Sequence, residues 1–171
     1  MISSCTRLTD DVVTLRPISD EDTENVVCWR NKDFVRKYFW YQELFTVESH
    51  TAWLRNKVET GEVVQFIISR NDLNKDIGSV FLKDFDDKEK SAEFGIFIGE
   101  EDSLSNGFGT RAAELISDYA KKVLKLEKLV LRVKDCNERA QKSYMKSGFA
   151  TDEEATANEE VSDAVIMKKQ L

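Results

Sequence analysis

Apolar residues recur with two different periods along this chain of 171 residues, and the switches between them mark its elements. Val12-Val13-Thr14-Leu15 is a β-branched run halted by Pro17 and reads as a first strand. Ser19 followed by Asp20-Glu21-Asp22 has the form of an N-cap with acids in the first turn, which predicts a helix through Trp29. A second helix is expected after Thr46, with Val47, His50, Leu54 and Val58 near one face and Gly61 ending it. Between the two, Phe34, Tyr38, Phe39, Trp40, Tyr41 and Phe45 follow no period. Three strand candidates come next: Val63 to Ser69, Ile77 to Leu82 and Ala92 to Ile98. The last alternates cleanly, with Phe94, Ile96 and Ile98 on one face and Glu93, Gly95 and Phe97 on the other. Short polar turns between them predict an antiparallel meander.

Past the acidic loop Gly99 to Ser103, the period lengthens to that of a helix. Ala112, Leu115, Ile116, Tyr119, Ala120, Val123 and Leu124 form its buried stripe, and Asp118 and Lys122 an ion pair on its wet face. Leu129 to Val133 reads as a strand, Asn137 as the cap of a helix ending before Gly148, and Phe149 and Val161 to Met167 as closing strands. The crossover from Leu104 to Val133 makes the sheet mixed. No linker, repeat or low-complexity tract divides residues 1–171, so a single domain of α/β class is expected.

Composition narrows the chemistry. With 41% hydrophobic and 33% charged residues the chain can bury a core, and 25 basic against 32 acidic residues leave a net charge of −7. That balance argues against a nucleic-acid partner, because phosphate neutralisation needs clustered Lys and Arg. One histidine, His50, rules out a two-histidine zinc site, so no metal is expected. Cys5, Cys28 and Cys136 are odd in number and far apart, which suits reduced thiols, and Cys136 is expected to be a buried small residue. No signal-like stretch or membrane-length apolar run occurs, so a cytoplasmic protein without a membrane partner is expected.

Asn106-Gly107-Phe108-Gly109-Thr110 joins a strand region to a helix, and glycines there permit positive φ and close backbone approach. The free N–H groups of the first helical turn can then cradle a phosphate. The loop lacks the third glycine of a dinucleotide fingerprint and the Lys-Ser/Thr of a P-loop, and taken alone it is equally a plain turn. Asn137, Ala140 and Tyr144 share one side of the later helix. They read either as cap, packing residue and half-buried ring, or as a ligand contact and a hydroxyl facing a site.

In order, these motifs resemble the GNAT superfamily of acetyl-CoA-dependent N-acetyltransferases. The matching text is Ala92-Glu93-Phe94-Gly95-Ile96-Phe97-Ile98, Gly107-Phe108-Gly109-Thr110-Arg111-Ala112, then Asn137-Glu138-Arg139-Ala140, Tyr144 and Gly148-Phe149. Leu15-Arg16-Pro17 and Asp163 to Met167 look like the ribosomal-protein and spermidine acetyltransferase subgroup. The pyrophosphate loop departs from the family in opening on Leu104 rather than Gln or Arg, and the acidic loop Glu100-Glu101-Asp102 is slightly long.

The resemblance implies a mixed, mostly antiparallel sheet of about seven strands flanked by about four helices. It implies acetyl-CoA as cosubstrate, with the backbone at Phe97 and Ile98 along its pantetheine arm. Leu104, Ser105, Asn106, Gly107, Phe108, Gly109 and Thr110 would lie at the pyrophosphate, with Asn137 and Ala140 beside the cofactor. Tyr144 would protonate the departing sulfur, attack by the amine being direct. Glu93 is either the base for the acceptor amine, a contact for a cationic substrate, or an exposed strand residue. Trp29, Arg30 and Tyr41 are candidate substrate-binding residues, with ordinary aromatic packing as the competing reading. The acceptor implied is a protein N-terminus, a polyamine or another small amine, served by a monomer or homodimer. Trp29-Arg30-Asn31 also resembles enzymes that acetylate nucleotide-linked amino sugars, and a non-catalytic acyl-CoA sensor is a further alternative. The acidic balance tilts toward cationic acceptors.

Overall fold

The alternation along Ala92 to Ile98 divides the protein into two cores, one on each face of an eight-stranded sheet. The computed structural model describes residues 6–171; the expectation for Cys5 falls outside them. Among the described residues the strands are β1 (Leu8–Thr9), β2 (Val13–Pro17), β3 (Val64–Arg70), β4 (Lys75–Asp86), β5 (Ser91–Ile98), β6 (Lys128–Lys134), β7 (Ala150–Thr151) and β8 (Ala164–Gln170). They lie in the order β1-β2-β3-β4-β5-β6-β8-β7, and every pairing is antiparallel except β5 with β6. The helices are α1 (Thr23–Asn31), α2 (Asp33–Arg36), α3 (Val47–Trp53), α4 (Phe108–Lys122), α5 (Glu138–Lys146) and α6 (Glu153–Ala157).

The expected mixed, mostly antiparallel sheet is present, with eight strands rather than seven and six helices rather than four. The extra strand is the two-residue β1, and the short α2 and α6 carry no period long enough to read. Phe94, with Ile96 and Ile98, packs under α4 in the larger core; Phe97 joins Val26 and Trp29 of α1 and Leu54 in the smaller one. Neighbours Phe66 and Ile67 on β3 point to opposite cores and are both fully buried. Such burial contributes about 1.5–3 kcal/mol per side chain, so both helical layers are anchored to the sheet.

Local details follow the sequence closely at several places. Ser19 N–H donates to Asp22 Oδ2 at 2.9 Å, opening a short 3₁₀ turn before α1. Thr46 and Ser49 exchange capping bonds at 3.0 and 3.1 Å at the start of α3, which runs on through a π-helical turn, Leu54–Val58. Asp118 and Lys122 pair at 2.6 Å. Three expectations need correcting. Val123 is exposed, because α4 ends at Lys122 and the chain turns away. Phe149 is buried but precedes its strand, and the last strand begins at Ala164. Cys136 is exposed, since it lies in the turn between β6 and α5 rather than inside either. No helix among the described residues is long and apolar enough to cross a membrane.

Candidate active site

β5 and β6 run parallel but stay paired for only three positions, Ser91 with Lys128, Ala92 with Leu129 and Glu93 with Val130. Beyond them each strand follows its antiparallel neighbour: β5 stays registered on β4 up to Gly78 opposite Ile98, and β6 on β8 up to Lys134 opposite Ala164. The two strands therefore part, and Phe94, Ile96 and Ile98, whose amide groups point away from β4, present an unpaired backbone edge to the gap. An open strand edge pairs with any extended partner carrying amide groups. The gap opens at the carboxyl ends of parallel strands, where crevices of α/β sheets take ligands.

The chain leaves β5 through the acidic loop and enters α4 beside this gap. Gly107 is the N-cap of α4 with φ +83°, and a Cβ there would meet nothing within 4 Å. Glycine is required by backbone conformation, not crowding. Ser105 also has positive φ, +64°, and Asn106 Nδ2 donates to the Asp102 carbonyl at 3.0 Å, so the loop is folded on itself. The first backbone bond of α4 runs from Arg111 N–H to the Gly107 carbonyl. Phe108, Gly109 and Thr110 thus offer their N–H groups outward at the positive end of the helix. Leu104 is half-buried, and Ser105, Asn106 and Gly107 are exposed. The Phe108 side chain is buried beneath the Arg70 guanidinium, whose carbon lies 4.7 Å from the ring centre; only its backbone faces the loop.

Helix α5 closes the other side of the gap. Asn137 Oδ1 accepts from Ala140 N–H at 3.3 Å, so Asn137 serves as the expected cap. Thr110 and Ser143 hydroxyls meet at 2.9 Å, tying the first turn of α4 to α5. Ala140 and Tyr144 lean on the larger core, and the Tyr144 ring stands edge-on to Phe94, centres 5.9 Å apart at 86°. Burial pushes the Tyr144 phenol well above the ordinary tyrosine range, so it holds its proton at neutral pH.

The sequence pattern described as Acetyltransferase (GNAT) domain matches residues 13–150. This chain belongs to the GNAT acetyltransferase family. It is 33% identical over 143 residues to spermidine N(1)-acetyltransferase of Escherichia coli (strain K12), covering 83% of this chain and 75% of that one. Its fold is similar to spermidine N-acetyltransferase from Vibrio cholerae in complex with CoA and spermine, at TM-score 0.81 and 21% identity, covering 94% and 96% of the two chains. It is also similar to apo FdhC, a nucleotide-linked sugar GNAT, at TM-score 0.79 and 23% identity, covering 96% and 90%.

On the opposite face of the GNAT sheet lie two hollows. A groove of about 460 Å³ runs between β5, β6 and the segment after α6, and Glu93, Arg132, Glu159 and Glu160 line it. A smaller cavity of about 190 Å³ lies under α1 and α3, lined in part by Arg30, Phe39, Phe45, His50 and Phe97. Glu93 is half-buried at the edge of the first and bridges to Lys83, which lines the second, at 3.1 Å.

The three substrate-side candidates separate. Trp29 is buried, its Nε1–H donating to Glu100 Oε1 at 2.7 Å, and its ring covers Gly99 so closely that no Cβ fits there. It packs rather than faces a ligand. Tyr41 is exposed, bonded to Glu43 at 2.6 Å, and lines neither hollow. Arg30 does line the cavity, its guanidinium carbon 3.2 Å from the Phe39 ring centre and 5.2 Å from that of Phe45. His50 is 1% exposed with Nδ1 3.0 Å from Thr23 Oγ1, while Nε2 has no hydrogen-bond partner among the described residues. Sequence reasoning missed that Arg30 and His50 line one cavity, since residues twenty apart carry no local signal of shared position.

Proposed function

We propose that the protein transfers an acetyl group from acetyl-CoA directly to a primary amine. The parting of β5 and β6 beside the N-terminus of α4 carries this reading. An unpaired strand edge suits the amides of a pantetheine arm, and the outward N–H groups of Phe108, Gly109 and Thr110 suit a pyrophosphate. Acetyl-CoA supplies an activated acyl carbon. Tyr144, kept protonated by burial, gives its proton to the sulfur as the carbon–sulfur bond breaks. Glu93, lining the groove on the other face, takes a proton from the acceptor nitrogen, directly or through water, as the new carbon–nitrogen bond forms. The backbone N–H of Ile98, which faces the gap, stabilises the charge that develops on the acyl oxygen. The names of the relatives, spermidine acetyltransferases and a nucleotide-linked sugar GNAT, agree with an amine acceptor.

Release of coenzyme A thiol is the test, measured with acetyl-CoA against polyamines, peptides, amino sugars and amino acids. Amine-dependent release that is lost in Tyr144→Phe supports transfer. Tight coenzyme A binding with no release for any amine would instead favour an acyl-CoA sensor.

A further inference from the structure

The two buried side-chain polar atoms without a hydrogen-bond partner among the described residues are Arg30 Nη1 and His50 Nε2. Both residues line the same 190 Å³ cavity. No Asp or Glu is among its lining residues, and Arg30 forms no ion pair with any described carboxylate within 4.0 Å. The remaining polar groups are engaged: Trp53 Nε1–H donates to Gln65 Oε1 at 2.8 Å, Gln65 Nε2–H to Ser79 Oγ at 2.9 Å, and Lys83 is paired with Asp84 and Glu93. We propose that this cavity seats an anionic group, carboxylate or phosphate, carried by the acceptor amine, with Arg30 and His50 as its binding residues.

The proposal deepens the amine-transfer reading and rests on it for the word acceptor. A buried guanidinium without a counter-charge is costly, and a fork of N–H donors beside an imidazole matches a planar carboxylate or a phosphate. Burial lowers the Arg30 guanidinium to about 10, so it is still a cation at neutral pH. Burial also lowers His50, which is therefore neutral there. In the tautomer in which Nδ1 accepts from the Thr23 hydroxyl, Nε2 carries the proton and is a donor for an anion. The guanidinium is held in place by Phe39 and Phe45. Asn31 fixes Phe45 in turn, exchanging bonds of 2.7 and 2.8 Å with its backbone.

Position joins this seat to the chemistry. Phe97 lines the cavity with its ring, and its neighbour Ile98 turns its backbone N–H to the unpaired edge of β5. The Lys83–Glu93 pair stands between cavity and groove, one partner lining each. An acceptor with an amine toward Glu93 and an anion toward Arg30 spans that boundary. A polyamine would instead place an ammonium group against Arg30, with no lining carboxylate to receive it.

Two measurements test this on the whole chain. The first is calorimetric titration of CoA-saturated protein, its pyrophosphate loop thus filled, with inorganic diphosphate and separately with malonate. At least one should bind, and Arg30→Gln and His50→Gln should each weaken it tenfold or more, with Arg30→Lys intermediate. Coenzyme A binding in each variant checks that the fold is intact. The two anions tell phosphate from carboxylate. The second is coenzyme A release with spermidine, a carboxylate-bearing amine (β-alanine) and a phosphate-bearing amine (glucosamine 6-phosphate). An anionic amine should be preferred over spermidine, and Arg30→Gln should raise its KM tenfold or more with kcat little changed. Anion binding that needs Arg30, with no release from any amine, would keep the cavity and overturn the transferase reading. Acetylation of spermidine by a protein whose cavity binds neither anion, or binds them equally in Arg30→Gln, would keep the transferase and overturn the proposal.

Discussion

Glu93 Oε1 stands 3.1 Å from Lys83 Nζ across the β4–β5 ladder, where the two residues are registered partners. Under the proposed transfer, Glu93→Gln keeps the size of the side chain but cannot take the amine proton, so it should lower kcat/KM about a hundredfold. A kcat/KM unchanged in Glu93→Gln would take Glu93 out of the reaction.

In the proposed transfer Tyr144 is positioned by its ring and acts through its hydroxyl. Tyr144→Phe retains the edge contact with Phe94 and the tilted contact with Phe149. Thermal stability and coenzyme A affinity should stay within about twofold of the parent, while kcat falls roughly a hundredfold or more. Rapid-mixing measurement of thiol release separates that loss from slow product release.

The glycines of the loop should respond in opposite ways. Gly107→Ala forces an L-residue to φ +83° in open space, which costs about 1–2 kcal/mol and lowers Tm by roughly 2–8 °C. In Gly109→Ala the added methyl meets Ser143 Oγ at 3.8 Å and Ile96 Cδ1 at 3.9 Å, ordinary contacts. Stability should hold or rise slightly with better helix propensity. Coenzyme A affinity should still fall at least tenfold, because the methyl occupies the approach of the phosphates. Calorimetry on both variants, with thermal melts, checks the contrast.

Acid should loosen the junction of α1 with the loop after β5. Burial pushes the Glu100 carboxyl up, but hydrogen bonds from Lys75, Trp29 and Lys32 outweigh it and hold the group at about 2. A depressed carboxylate stabilises the fold fully above its unfolded value, 4.5, and loses that contribution as pH falls toward 2. Melting temperature should decline across that window, and more steeply in the parent than in Glu100→Gln.

How much of this was legible depended on whether the signal was local. The alternation of Glu93 to Ile98, the stripe on α4 and the Asn137 cap are set by neighbours in sequence, and all three are present. The glycine loop before α4 was legible because positive φ at Gly107 is a property of one residue. β4 extends past Leu82 to Asp86 because β5 pairs with it at Lys83 and again at Asp86, a tertiary demand. The stretch from Phe34 to Phe45 showed no period because it is mostly irregular chain over the smaller core, with Phe39 and Phe45 turned toward Arg30. Arg30 was legible as a candidate, whereas its unpaired state and its neighbour His50 required the folded chain.

The three-position ladder between β5 and β6 has a mechanical meaning as well. It leaves the sheet as two panels, β1 to β5 and β6-β8-β7, stitched along a seam shorter than either panel is deep. A pantetheine arm lying in the gap would extend that seam from the outside, so the cosubstrate would be a removable strand of its own enzyme. The empty protein would then be softest at the amides of Phe94, Ile96 and Ile98, and hydrogen exchange there would slow with each loading and quicken with each departure of coenzyme A.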